Sequence, residues 1–470
     1  MTLQPIELPS LRPQFAGVAF PGTELPDLGT ALREVQTWID AGERPEGSEG
    51  SAGPGASRWL AWPDNPEFVP LYGGLSLNTG AAGIAWHALS AADATDGAAA
   101  EAHLARAQRA AAYVAANWRD VADTNFLGIA GTGLGFYGGL SGIGAVFLEL
   151  ADRFPAYRET AVEIFDEILV RAGRTGGRPF GWTSANALLG DGGVLIGLIA
   201  ASRRLGDPRY VDAAVVAGLG ILSEERHGDL GSWWHGLDGE LLGLGSDIEL
   251  DGFELGTTGI AFVFASLALA TGDERFRDAA ARAGGHIAAT AVVVDDAAVI
   301  PRMGDTYSFG YCTGSSGAIR ALIQVYRATG DAEHLEWALR LGRGILRSGV
   351  PGRQTPGNAW VFHQCCGSAA VLESFIGLWH ETGDRLWLDA AQVQGDDLLI
   401  RSVSDARGRR WYSESHVLPV GTLKAEVGHQ VGAAGIALAL NRLDVATRAD
   451  ASGTPFRSIR LPDDPFIAAL

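Results

Sequence analysis

The chain has 470 residues and three cysteines, each followed within two residues by glycine. Cys312 lies in FGYCTGSSG, and Cys365 with Cys366 in HQCCGSAA. A set of three thiols with a vicinal pair makes no useful disulfide framework, and it points to a reducing, cytoplasmic setting. Three thiolates suit one zinc ion, because a catalytic zinc commonly takes three protein ligands and keeps a fourth place open. The competing reading is three small buried hydrophobes, a common fate of free cysteine.

Whether the thiols can meet depends on the elements that carry them. Short glycine motifs opening an apolar stretch recur seven times: TGAAGIAWHAL, GGLSGIGAVFLEL, GDGGVLIGLIAA, LGTTGIAFVFASLAL, CTGSSGAIRALIQVY, CGSAAVLESFIGLW and VGAAGIALALNRL. Their lead glycines are read as Gly80, Gly139, Gly193, Gly256, Gly314, Gly367 and Gly432, spaced by 53 to 65 residues. RLGD ending at Asp207, ATGD at Asp273, ATGD at Asp331 and ETGD at Asp384 fall between them. There glycine ends one helix in the left-handed region and aspartate caps the next. The first helix of each unit is apolar on nearly all faces, and the second is amphipathic. Units that cannot bury their own faces must stack. The expectation is an all-α chain, an α/α toroid of about seven helical hairpins.

In a closed ring the inner helices run the same way, so their N-termini share one rim. Asn78, Tyr137, Asp191, Glu254, Tyr311 with Cys312, His363 with Cys365 and Cys366, and His429 then converge there. Helix N-termini carry partial positive charge and free N–H groups, which favour thiolates. His87, His103, His286, His334 and His380 fall in or beside ordinary helices and are read as structural or exposed.

The residues before about position 60 are expected to form a partly flexible extension, with 61–470 as the toroid domain. AGERPEGSEGSAGPGAS reads as a solvated linker. Small β pieces are expected in long loops such as WYSESHVLPVGTL. The tail beyond Asp444 is expected to be ordered only in its last dozen residues. A formal charge of −19 and a pI near 4.9 argue against nucleic acid or an anionic membrane as the main partner. The start lacks a signal-peptide pattern, and no apolar run is long enough to span a bilayer.

With these motifs in hand, residues 70–440 resemble the LanC-type lanthionine cyclases. The seven glycine motifs, GYCTG and the CCG triplet carry the resemblance. It implies an α/α barrel and a catalytic zinc on Cys312, Cys365 and Cys366. It also implies addition of peptide cysteine thiolates to dehydroalanine or dehydrobutyrine, giving thioether rings. The partner implied is a dehydrated precursor peptide. No kinase or dehydratase signature is present, so dehydration falls to separate proteins of the same pathway. The N-terminal stretch and the long loops are candidates for a leader-binding surface.

The chain departs from the family pattern at several places. Cys366 replaces the usual histidine, Tyr311 precedes the first ligand in place of tryptophan, and Thr313 follows it in place of tyrosine. Leu255 stands where the family commonly has an acid/base histidine. Candidate replacements for proton transfer are Asp191, Glu254, His363, His235 in GSWWHGLDGE, and Tyr311. Each has a plainer reading: helix cap, solvated carboxylate, structural hydrogen bonding, or packing beside Trp233 and Trp234. Three alternatives stay open: a zinc-stabilised, non-catalytic scaffold that binds a peptide or partner, a carbohydrate-active toroid enzyme working through paired carboxylates or histidines, and addition of a free thiol such as glutathione to dehydroamino acids.

Overall fold

The computed structural model describes residues 25–46, 55–174, 180–237, 252–301, 307–352, 361–414, 423–456 and 461–466. Among them are fourteen α-helices and five two-stranded antiparallel hairpins. The inner helices are α2 (Ala81–Asp93), α4 (Leu140–Arg153), α6 (Asp191–Leu205), α8 (Thr257–Thr271), α10 (Ser315–Thr329), α12 (Ser368–Thr382) and α14 (Ala433–Ser452). Each touches the next, and α14 touches α2, which closes the ring. The toroid expected from the repeats is the fold observed.

Burial explains the two kinds of helix. Every residue of α8 from Thr257 to Ala268 is buried, as an element covered on all sides requires. Its partner α9 (Glu274–Thr290) buries only Phe276, Ala279, Ala280, Ala283, Gly284, His286 and Ile287, a single face. The other outer helices are α3 (Gly97–Asn117), α5 (Tyr157–Val170), α7 (Pro208–Leu222), α11 (Ala332–Ser348) and α13 (Arg385–Ile400). The caps are those read from the repeats. Gly206, Gly272, Gly330 and Gly383 take φ of 74°, 73°, 72° and 68°. Asp207, Asp273, Asp331 and Asp384 each accept a backbone N–H of the helix they open.

Among the described residues no outer helix follows α14. Instead α1 (Leu28–Ala41), from the start of the chain, packs on it and buries Ala31, Val35, Trp38 and Ile39 in the same core. Its N-cap is Asp27, which accepts from Thr30 N at 2.9 Å. The hairpins are β1–β2 (Glu43–Pro45, Ser57–Trp59), β3–β4 (Arg226–Gly228, Gly231–Trp233), β5–β6 (Val292–Val294, Ala297–Val299), β7–β8 (Val403–Asp405, Gly408–Arg410) and β9–β10 (Ser413–Glu414, Leu423–Lys424). The last lies in the loop where a β piece was expected; its residues 415–422 fall outside the described ones. So do 47–54 of the linker-like stretch.

Two readings change. The third inner helix is capped by Gly190 rather than Gly193, so Asp191 is its first residue. The run GDGG offers several glycines, and only packing selects one. The tail is helical past Asp444 as far as Ser452, because α14 keeps burying Ala446 and Ala449 against its neighbours.

Candidate metal centre

Every inner helix is capped by a glycine, extended in all but Gly190 of α6. The reason is close approach. A Cβ on Gly367 would sit 2.3 Å from the Val361 carbonyl oxygen, inside any permitted contact. On Gly310 it would sit 2.6 Å from the Cα of Cys366, so the fifth turn can lie directly on the sixth. Gly314 and Gly367, beside the cysteines, are required because each turn folds back on its own backbone, at Ser308 and Val361, while Gly310 lets the two thiol-bearing turns pack together.

The residue two places before the cap glycine is Asn78, Tyr137, Leu188, Glu254, Cys312, Cys365 and Gln430 in successive turns. Around the rim these positions are stitched by backbone hydrogen bonds. Glu254 N donates to Cys312 O at 3.2 Å, Cys312 N to Cys365 O at 3.0 Å, and Cys365 N to Gln430 O at 2.8 Å. Gln430 N donates to Asn78 O at 2.9 Å, and Asn78 N to Tyr137 O at 2.9 Å. Leu189, one place on, donates to Glu254 O at 3.1 Å. The ladder gives Glu254, Cys312 and Cys365 one rigid frame.

Within it the three sulfurs meet. Cys312 Sγ is 2.9 Å from Cys366 Sγ, and Cys365 Sγ is 3.2 Å from Cys366 Sγ. The three ligand atoms lie within 4.8 Å of one another, and all three residues are partly exposed. Hydrogen bonding within the cluster, led by Cys312 in each case, together with burial pushes the Cys365 and Cys366 thiols well above their usual range. Helix N-termini alone therefore do not make three thiolates here. A soft divalent cation would, since its charge inverts the local balance. The donor set fits zinc: three partly exposed thiols from two adjacent turns.

Glu254 is 5% exposed, and its Oε1 has no hydrogen-bond partner among the described residues. Burial first, then the neighbouring Cys312 sulfur, push its carboxyl far above the usual range. His363, also buried, accepts the Cys366 N–H at Nδ1 over 3.4 Å and so braces the turn with two of the thiols. The Tyr311 ring packs on Phe253 with centroids 4.5 Å apart. Its hydroxyl runs away from the turn to Asp463. Asp191 is buried, and its Oδ1 accepts from Trp182 N at 2.9 Å and Thr183 N at 2.7 Å, holding the loop that leads into α6. His235 is half-buried on a loop whose carbonyl at that residue accepts from Asn186 Nδ2 at 2.9 Å. The same loop is fixed to Thr257, at the start of α8, through the backbone N–H and carbonyl of Trp234.

Leu255 does not face an open site. It packs with Tyr72, Ile129, Ala185, Leu189 and Leu237 in a small apolar cluster at the rim. Tyr72 was not singled out by the sequence. Burial raises its phenol, and the charges of Glu254 and then the three cysteines add to this, so it lies within their field. Asp463 was also missed. Aligning the seven turns at their cap glycines singles out Glu254 beside the cysteines, but no sequence signal points to Tyr72 or Asp463.

No helix among the described residues is long and apolar enough to cross a membrane. No protein-family model and no curated protein matches the chain. Among solved structures, nisin cyclase superposes with a TM-score of 0.58 at 13% identity, over 79% of this chain and 89% of that one. A GH76 α-mannanase from Bacteroides thetaiotaomicron gives 0.43 at 12%, over 88% and 96%. A sugar epimerase from a ruminal bacterium gives 0.44 at 13%, over 90% and 98%. With its closed ring of paired helices, the chain shares the α/α-toroid fold of nisin cyclase.

Proposed function

We propose that this chain is a zinc-dependent lanthipeptide cyclase that joins cysteine thiols of a dehydrated peptide to dehydroalanine or dehydrobutyrine. One observation carries the reading: three thiols converge on the fifth and sixth turns, and a buried carboxyl holds the equivalent place in the fourth. Cys312, Cys365 and Cys366 would hold the ion. When bound, zinc would keep these thiolates ionised and lower the pKa of an incoming peptide thiol.

The remaining work falls to the chain's own residues. The S–Cβ bond forms as the Cα=Cβ π bond breaks, its electron pair moves onto the acyl group, and Cα then takes a proton. Glu254 is placed to give that proton, because burial and the neighbouring Cys312 sulfur raise its carboxyl well above the usual range. The proton lost by the attacking thiol restores it, so the addition balances. Leu255 and the apolar cluster around it keep water from that side of the rim. His363 holds the CCG turn. Asp191 shapes the neighbouring loop, and Tyr311 anchors the tail. His235 is assigned no step.

Three ligand atoms among the described residues leave a zinc coordination place for a substrate, which favours catalysis over a closed structural site. A paired-carboxylate glycosidase draws less support, because Asp191 is engaged with backbone N–H groups. The peptide must arrive already dehydrated, so a separate dehydrating activity precedes this one. A reducing cytoplasm suits the thiols.

The test is incubation of zinc-loaded protein with a peptide carrying one dehydroalanine and one cysteine. Ring formation leaves the mass unchanged and removes the thiol that iodoacetamide would alkylate. Zinc-replete protein that leaves every such thiol alkylatable would overturn the reading.

A further inference from the structure

Tyr137 belongs to the second turn of the ring and Tyr311 to the fifth, on opposite sides. Their hydroxyls meet, Tyr137 Oη donating to Tyr311 Oη at 3.3 Å, and one carboxylate takes both. Asp463 accepts from Tyr137 Oη at 2.8 Å, from the Tyr311 hydroxyl, and from Arg320 Nη2 at 2.5 Å. Its side chain is 2% exposed. Asp463 therefore sits in the middle of the ring, carried there by the C-terminal stretch Leu461–Phe466. Asp464 lies 3.9 Å from Arg327, and Arg203 lies 5.0 Å from the Phe466 ring centre.

The three donors form a place for a carboxylate: a guanidinium held by α10 and two phenol hydroxyls at the rim. The counter-charge in it comes from a terminal stretch, not from a helix of the ring. Burying this ion pair costs desolvation that its attraction largely offsets, so the pairing holds the tail only loosely against a competitor.

Asp463 does not fill the space around it. A cavity of about 520 Å³ lies alongside, between α10, α12, α14 and the tail. Gln364, Glu373, His429 and Gln430 line it, all at least nine-tenths buried. Gln364 Oε1, Glu373 Oε1, His429 Nδ1 and Gln430 Oε1 have no hydrogen-bond partner among the described residues. Buried polar atoms are rarely left so. Three of the four are acceptors, which suit the successive N–H donors of an extended backbone.

We infer that Arg320, Tyr137 and Tyr311 form a carboxylate seat for an acidic peptide in trans, which the chain's own Asp463 fills in cis. A peptide with an aspartate in that seat would run its backbone along the cavity and reach acceptors the tail leaves unmet. The inference stands apart from the cyclase reading, since it needs neither metal nor catalysis. Its affinity is masked in the wild type, because apparent binding scales with the fraction of empty seats.

The experiment uses the full chain and a labelled, acetylated and amidated LPDDPF hexapeptide, followed by fluorescence anisotropy. Asp463→Asn, with its seat vacated, should bind at least about tenfold more tightly than wild type. Binding should be lost when the first aspartate of the peptide is asparagine, and when Arg320→Gln is added to Asp463→Asn. Hydrogen exchange of residues 461–466 should rise in Asp463→Asn. A tail that stays protected in that variant overturns the inference, since the carboxylate would not be what seats it. So does a released tail with no peptide binding. If Asp463→Asn does not fold, millimolar peptide on the wild-type chain should raise exchange at 461–466, and unchanged exchange overturns the inference.

Discussion

Glu254 and Cys312 hold the same place in consecutive turns of the ring, and the backbone N–H of the first donates to the carbonyl of the second over 3.2 Å. The link sets a buried carboxyl beside the thiol cluster with no flexible element between them. Preorganisation of this kind is what a proton donor needs, because a small misplacement costs rate.

The cysteines should act as one ligand set. Purified wild type should carry about one zinc per chain, and Cys312→Ala, Cys365→Ala or Cys366→Ala should each reduce it severely. Metal analysis beside circular dichroism checks this. Full zinc in any well-folded single variant would remove that sulfur from the site.

Glu254→Gln keeps size and shape but has no acidic proton. It should retain zinc and fold while ring formation slows by about 10²- to 10⁴-fold. Single-turnover kinetics on a dehydrated peptide give the answer. An unchanged rate would move the proton to another group, with Tyr72 the next to substitute.

Two glycines near the same helix separate close approach from helix propensity. Gly367→Ala drives a Cβ to 2.3 Å from the Val361 carbonyl, so the CCG turn must open. It should lose about 1–3 kcal/mol of stability and bind zinc more weakly. Gly377→Ala meets nothing nearer than 3.6 Å and should be neutral or stabilising. Urea unfolding with zinc titration distinguishes the pair, and equal behaviour would refute the packing account.

His429 is 1% exposed, and burial lowers its imidazole to about 4. The unfolded chain regains a value near 6.5. Between those values the unfolded state binds more protons. Stability therefore falls as pH drops from about 6.5 towards about 4, and levels off below. Over the full window this is on the order of 3 kcal/mol. Denaturant unfolding at pH 7 and pH 4.5 should show a smaller loss for His429→Asn than for wild type. His103 and His334, also lowered by burial, titrate in both proteins and cancel in the comparison, whereas His87, lowered by burial and in part by the His429 charge, shifts slightly back up in the variant.

Much of the fold was legible because its causes are local. Glycine at the cap, an apolar run, then Gly-Asp before an amphipathic run set each hairpin, and Asp273 and Asp331 cap the helices assigned to them. Cys312, Cys365 and Cys366 were legible because type and spacing agree, and their clustering follows from the ring. The third turn was misregistered, because GDGG gives equivalent local choices and only packing against Ala185 and Thr183 selects Gly190.

What the sequence by itself determined was the repeat and the inner and outer faces, and it singled out the three cysteines that cluster. Each of these rests on residues close in the chain and on periodicity. Tertiary structure alone decided the rest. It set Glu254 beside Cys312, turned the Tyr311 hydroxyl away to Asp463, gave Asp191 to two backbone N–H groups, and laid α1 on α14. Apart from Asp191, whose partners lie nine and eight residues away, those outcomes depend on contacts across scores to hundreds of residues. Such contacts exist only once the ring has closed, and no local pattern encodes them.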